Sequence, residues 1–201
     1  MENFNENKKK IISLLKKVDR EGMGKLIDWL QNNDFFEAPC STKYHLSEKG
    51  GLAQHSINVY KRLYKSFINR AEEVTGSRDI DDSLKASIAI VAICHDICKA
   101  EFYKESTRNV KNEQTGQWEK VPCYTIEDKM PLGHGEKSVI LLLKLGVKLT
   151  DEEIYAIRWH MGSFDDAVKG GNRSISDVFS RCELAYLLHR ADMDATYLDE
   201  K

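Results

Sequence analysis

Four histidines and two aspartates of this chain stand where apolar helical patterns end or turn inward. They are His55 in GGLAQHSINV, His95 and Asp96 in ICHDICKA, His134 in PLGHGEKSV, His160 in IRWHMGSFD and Asp192 in LLHRADMDAT. At 3.6 residues per turn, His55 shares a face with Leu52, Val59 and Leu63, His95 with Ile88, Val91 and Ala92, and Asp192 with Leu184, Ala185 and Leu188. Taken singly, each histidine is most simply a core group bonded to nearby backbone. A buried carboxylate is costlier, several kcal/mol or more without a cation or strong donors, and the six together describe a metal site. The neighbours His95 and Asp96 point about 100° apart on a helix and can straddle one ion or bridge two. Imidazole with carboxylate suits Fe, Mn, Ni, Co or Zn better than Ca or Mg, and a mixed nitrogen and oxygen set leaves positions open for water and substrate. Lys99, one turn after His95, can bring an ammonium to a phosphate oxygen; a solvated lysine favoured by the helix dipole is the plainer reading.

Helices must position these groups. Apolar residues at helical spacing predict helices over 5–18 and 23–32, and the polar, aromatic-dotted segment NNDFFEAPCSTKYHLSEKGG predicts a loop leading into a helix over 52–74. Asp81 or Asp82 serves as N-cap for a helix running to Ala100. The tract RNVKNEQTGQWEKVPCYTIED alternates polar with β-branched or aromatic residues around a turn-like EQTGQ, which predicts a β-hairpin at about residues 106–127. Helical patterns resume over 135–145, over 151–160 behind Thr150 as N-cap, and over 178–197, with a loop at GSFDDAVKGGNRSISD. The expected fold is all-α with one small β insertion. A helical flank and loop over 1–49 belong to the same domain as a core over 50–201.

The chain has 201 residues, 41% of them hydrophobic, with 30 basic and 32 acidic side chains giving a net charge of −2. That length suits one domain. The interleaved charges supply no global basic field for nucleic acid. The apolar windows SIAIVAIC and SVILLLKLGV are too short to span a bilayer, and the lysine-interrupted N-terminal segment has no signal-peptide pattern. With five cysteines, an odd number, in a chain too long to need staples, a reduced cytoplasmic setting is expected. Cys94 and Cys98 lack a second pair at zinc-finger spacing and read as small core side chains. His189, one turn before Asp192, is a candidate partner behind the ligands, and His45 in the irregular loop can overhang the site. Arg108, Lys104, Trp118 and Tyr124 of the hairpin could clamp a phosphate and a base, although ordinary cross-strand packing explains them equally well.

The order GGLxxH, HDxxK, GH, HxG and a late D resembles the HD-domain superfamily of metal-dependent phosphohydrolases, from about Gly50 to Tyr197. The six-ligand version most resembles the catalytic domain of bacterial HD-domain 3'-to-5' exoribonucleases and, more distantly, HD cyclic-dinucleotide phosphodiesterases. The resemblance implies an HD-domain helical bundle, a first metal ion on His55, His95, Asp96 and Asp192, and a second on His134 and His160 with Asp96 bridging. It further implies hydrolysis of a phosphate ester of a nucleotide, cyclic dinucleotide or short oligonucleotide by a metal-activated hydroxide, with Asp96 and Lys99 catalytic; Lys99 is also expected on the substrate, and so is Arg108, because the hairpin begins just beyond HDICK. Some HD proteins instead hold a mixed-valent di-iron centre that oxygenates a small molecule. Two departures stand out. Met161 occupies a position where related chains often carry another histidine, and residues 1–50 are too few and too helical for an oligonucleotide-binding β-barrel, so long nucleic acid is not an expected partner.

Overall fold

The computed structural model describes residues 2–200, with side chains from Asn5 onward; the outermost residues of the two expected segments, Met1 and Lys201, lie outside it. Nine α-helices and one hairpin make up the described chain: α1 Glu2–Leu15, α2 Met23–Asn32, α3 Gly51–Thr75, α4 Asp82–Cys94, β1 Tyr103–Lys111, β2 Trp118–Ile126, α5 His134–Lys144, α6 Asp151–Trp159, α7 Asp166–Lys169, α8 Ser174–Arg181 and α9 Glu183–Asp194. The helical bundle with a small two-stranded insertion is therefore observed. The strands pair antiparallel from Tyr103 with Ile126 to Lys111 with Trp118, a little earlier in the chain than the alternation suggested. No helix among the described residues is long and apolar enough to cross a membrane.

The bundle is organised around α4. Its residues Ser87 to Cys94 are buried without interruption, so this part of the helix has no solvent face and must be enclosed by others. Helices α1, α3, α6 and α9 surround it. Asp81 caps its N-terminus by accepting from the Leu84 amide at 2.7 Å. The loop before α3 is a plug rather than a flap, because Phe35, Phe36, Ala38 and Cys40 are all buried.

Three boundaries differ from the periodicity. The central helix stops at Cys94 instead of Ala100: His95 ends it, Asp96 leaves helical geometry at φ −111° and ψ 21°, and Ile97–Lys99 forms a 3-10 turn. No glycine or proline marks this stop. It is fixed by what the polar side chains meet, Asp96 taking the Lys99 ammonium at 2.7 Å and Asp34 taking the Glu101 amide, whose φ is +56°. The expected helix over 178–197 is two, divided at Cys182, and it ends in a π-helical turn at Ala195–Asp199. Residues expected to be loop before it contain the short α7 and the first turn of α8.

One buried ion pair ties the N-terminal flank to the bundle. Glu153, fully buried at the start of α6, accepts from Arg20 at 2.5 Å, from Ser87 of α4 at 2.7 Å and from the Thr150 amide at 2.9 Å. Thr150 returns the bond to the Glu153 amide, completing a capping box. Removing one partner of such a pair leaves an uncompensated buried charge, worth about 3–5 kcal/mol. Glu153→Ala is expected to lower the thermal unfolding midpoint by roughly 10 °C, measured by calorimetry; an unchanged midpoint would show that the flank docks without this pair.

Candidate metal centre

Five elements deliver the six predicted residues to one place. His55 comes from the second turn of α3, His95 and Asp96 from the end of α4, His134 from the first residue of α5, His160 from the end of α6 and Asp192 from α9. His55, His95, Asp96 and His160 are buried. The close approach of α5 to α6 requires Gly135, since a Cβ there would stand 2.3 Å from the Arg158 carbonyl oxygen. Gly162, at φ +58°, likewise leaves room for His189, whose ring would meet a Cβ at 2.3 Å.

Ligand atoms converge in overlapping groups. His55, His95 and Asp192 form one, His95, Asp96 and His160 a second, and Asp96, Cys98 and His134 a third, the ligand atoms of each lying within 4.8 Å of one another. His55 Nε2 lies 3.1 Å from Asp192 Oδ1 and 3.2 Å from His95 Nε2. His95 Nε2 is 3.6 Å from Asp96 Oδ2, and His160 Nε2 is 3.5 Å from Asp96 Oδ1. Two ligands about 2.1 Å from a shared ion, at angles between octahedral and tetrahedral, stand about 3.0–3.4 Å apart, so these spacings are close to what one cation needs.

The tautomers point the same way. Nδ1 of His95 faces the Ala92 carbonyl at 3.0 Å and Nδ1 of His160 the Ile157 carbonyl at 2.7 Å. A carbonyl only accepts, so both Nδ1 atoms donate, and in the neutral ring Nε2 is left with its lone pair turned to the cluster. His55 follows the pattern with Glu200 as acceptor, at 3.0 Å from Nδ1. Two atoms in this centre, Asp96 Oδ1 and His160 Nε2, are buried without a hydrogen-bond partner. Buried orphan atoms cost about 1–3 kcal/mol each; a cation between them removes that cost, and the donor set fits a divalent transition metal.

The electrostatics balance two trends. Burial disfavours charge on Asp96 and Asp192, yet Lys99 beside the first and His55 beside the second hold both well below the ordinary carboxylate range. Burial pushes His95 down to about 4 and also lowers His134. It opposes protonation of His55 and His160 too, but is outweighed by Asp192 and Glu200 at the first and by Asp96 at the second, and both rise. Cys40 adds little to His55, because burial raises the thiol and keeps it neutral.

The remaining expectations separate. Lys99 is not a solvated helix end: its side chain is 11% exposed and salt-bridged to Asp96. His45 does overhang the site, 3.3 Å from Cys40 Sγ and 3.9 Å from Glu200 Oε2. His189 accompanies His160 rather than Asp192, with Nδ1 2.7 Å from the His160 carbonyl. Cys94 is core, whereas Cys98 also reaches the centre, 4.0 Å from His134 Nδ1, with its thiol pushed up to about 12 by burial. Glu200, Asn58 and Cys40 were not anticipated; Glu200 carried no apolar periodicity to reveal it.

A cavity of about 670 Å³ opens over the centre, with His55, Asp96, Lys99 and Asp192 at its floor and Tyr44, Phe164 and Tyr197 among its walls. Met161 lines it, so the position expected for another histidine presents a thioether. Arg108 is exposed and lines a different cavity, with Lys43, Lys49 and Tyr124. Lys104 pairs with Glu127 at 3.0 Å, and Trp118 is exposed. No family model, curated protein or solved structure matches the chain.

A ligand that binds only the folded chain at a hundred times its Kd stabilises it by about 2.7 kcal/mol. Adding Mn or Zn to metal-stripped protein is therefore expected to raise the thermal midpoint by roughly 5–10 °C, with reversal by chelator and no rise in Asp96→Ala. A midpoint indifferent to every divalent transition metal would oppose the metal reading.

Proposed function

We propose that the chain is an HD-type metal-dependent phosphohydrolase or phosphodiesterase, acting on a phosphate ester of a nucleotide, a cyclic dinucleotide, a short oligonucleotide or another small molecule. The observation that carries this reading is the convergence of Nε2 atoms, with Nδ1 of His55, His95 and His160 already committed to acceptors, on two carboxylates beside the buried ammonium of Lys99. The motif order supports the family, and the overlapping ligand groups support two ions that share Asp96.

Divalent ions held by His55, His95, Asp96, His134, His160 and Asp192 would lower the pKa of water and neutralise phosphoryl oxygens. The chain's own residues do the rest. Asp96 presents both carboxylate oxygens to different neighbours, Oδ2 to His95 and Lys99 and Oδ1 to His160 and His134, which suits it to bridge. Lys99 lies at the cavity floor with Nζ 2.7 Å from Asp96 Oδ2, where it can hold a phosphate oxygen as a point charge. Tyr44, Phe164 and Tyr197 offer aromatic faces on which a planar leaving group can lie. The volume, about 670 Å³, is that of a small-molecule pocket.

Turnover of bis-p-nitrophenyl phosphate with Mn is expected for the wild type and is expected to fall at least about a hundredfold in Asp96→Ala. Lys99→Met should retain its metal and lose about 10–100-fold in kcat/KM, the worth of one charge-assisted hydrogen bond. Metal analysis should return two ions per chain, reduced to one by His134→Ala. A fully loaded protein that releases no phosphate from a broad ester panel, or that consumes O2 with iron instead, would overturn the hydrolase assignment.

A further inference from the structure

The turn that follows α9 is built to reach back into the centre. Helix α9 does not run on as an α-helix past Asp194; it widens into the π-helical turn Ala195–Asp199, and Glu200 emerges from it beside α3. The Glu200 side chain is 1% exposed although it is a carboxylate. Oε1 and Oε2 lie 3.1 and 3.0 Å from His55 Nδ1, and Oε1 also accepts from Asn58 Nδ2 at 2.9 Å. One turn further along α3, Arg62 Nε donates to Asp199 Oδ2 at 2.8 Å, fastening the residue before Glu200 to the same helix. Three successive positions on one face of α3, His55, Asn58 and Arg62, thus grip two successive residues of this turn.

We infer that Glu200 is the positioning residue of the metal centre: its carboxylate accepts a hydrogen bond from His55 Nδ1–H, fixes the plane of the ring, and thereby aims Nε2 at His95 and Asp192. His95 and His160 need no such partner, because each sits at a helix end where Nδ1 reaches the carbonyl three residues back. His55 lies inside α3, where the backbone carbonyls are engaged in the helix, so its acceptor must come from another element. Glu200 supplies it from 145 residues away in sequence. Carboxylate partners of this kind fix ring orientation and raise imidazole basicity, and their loss typically weakens metal affinity about 10–100-fold. The inference rests on the metal reading for its effect on affinity; the hold on the ring stands without it.

Two measurements on the full chain separate those parts. Nitrogen-15 spectra of the imidazoles should show a His55 Nδ1 proton sheltered from solvent exchange, in metal-free and Zn-loaded protein alike. Glu200→Ala should lose that signal and bind Zn about 10–100-fold more weakly by equilibrium dialysis, while His95 and His160 keep their Nδ1 protons. Glu200→Gln, whose amide oxygen still accepts, should restore the signal and most of the affinity, which a merely structural loss would not. Should Glu200→Ala fail to fold, Asn58→Ala provides the second variant: it loosens Glu200 without touching His55, and a several-fold weaker Zn affinity is expected. An unchanged Nδ1 signal in Glu200→Ala, or a Zn affinity in Glu200→Ala equal to that of a Zn-binding wild type, would overturn the inference. Absence of Zn binding by the wild type would sink the metal centre instead, and the Nδ1 signal would still decide whether Glu200 holds the ring.

Discussion

The structure depends on keeping an ionised carboxylate at the end of a helix whose last two turns are buried on every side. Helix α4 is the axis of the bundle, and Asp96 follows it at a residue exposure of 3%. A carboxylate at such a depth survives only among cations and donors, so the surrounding elements are arranged to bring them: Lys99 by a tight 3-10 turn, His134 and His160 by two helix ends, and His55 from α3. The bundle's hydrophobic packing and its polar centre are not competing demands. The apolar walls exclude water and strengthen each interaction at the centre, and the convergence of charged side chains fixes the ends of the helices that make the walls.

This explains which features could be read from the residues and which could not. Helix existence follows from 3.6-residue periodicity, a property of each segment alone, and the capping residues Asp81 and Thr150 act within their own first turns. Of the six candidate ligands, His55, His95 and Asp192 were legible because polar groups on apolar faces are locally improbable, whereas His134 and His160 were singled out by the motif order. The stop at His95 was not, since ICHDICKA is compatible with continued helix, and only the contacts of Asp96 with Lys99 and of Glu101 with Asp34 end it. The division at Cys182 is of the same kind: no breaker stands there, and the buried side chain is set by the seat of α9 on α3 and α6. Glu200 was invisible for a different reason. A single glutamate beyond a helix is an ordinary solvated residue until the π-helical turn folds it back against α3.

Cavity-lining residues were the least legible, because their place depends on where loops land. Arg108 and Tyr124 follow the HDICK segment closely in sequence, yet the hairpin carries them to a separate cavity. His45 and Tyr44, from a loop about fifty residues earlier than His95, stand over the centre instead. Buried anchors hold that loop: Phe35, Phe36 and Cys40 lie in the core, the Cys40 amide donates to the Leu46 carbonyl at 3.0 Å, and Leu46 adopts a φ of +45°. A bulky residue in that conformation persists only where its surroundings hold it; here the Cys40 amide holds the Leu46 carbonyl and Ser41 Oγ the His45 carbonyl, while Gly51 permits the close approach, since a Cβ there would stand 2.1 Å from the Leu46 oxygen. The start of α3 therefore leaves room for the turn that carries His45.

The hairpin joins this arrangement at its root. Tyr103, the first residue of β1, donates its hydroxyl to the Cys40 carbonyl at 3.0 Å, and Cys40 Sγ in turn lies 3.8 Å from Lys99 Nζ. Lys99 is consequently enclosed by three segments that are distant in sequence: its own turn, the loop before α3 and the root of the hairpin. A solvated lysine would spread over many rotamers and lose about 2 kcal/mol of entropy on binding a phosphate. Enclosure removes most of that loss beforehand, since the side chain is already ordered with its ammonium at the cavity floor. The outer part of the hairpin, with exposed Trp118 at its far end, lies away from that order, whereas Tyr103 is part of it.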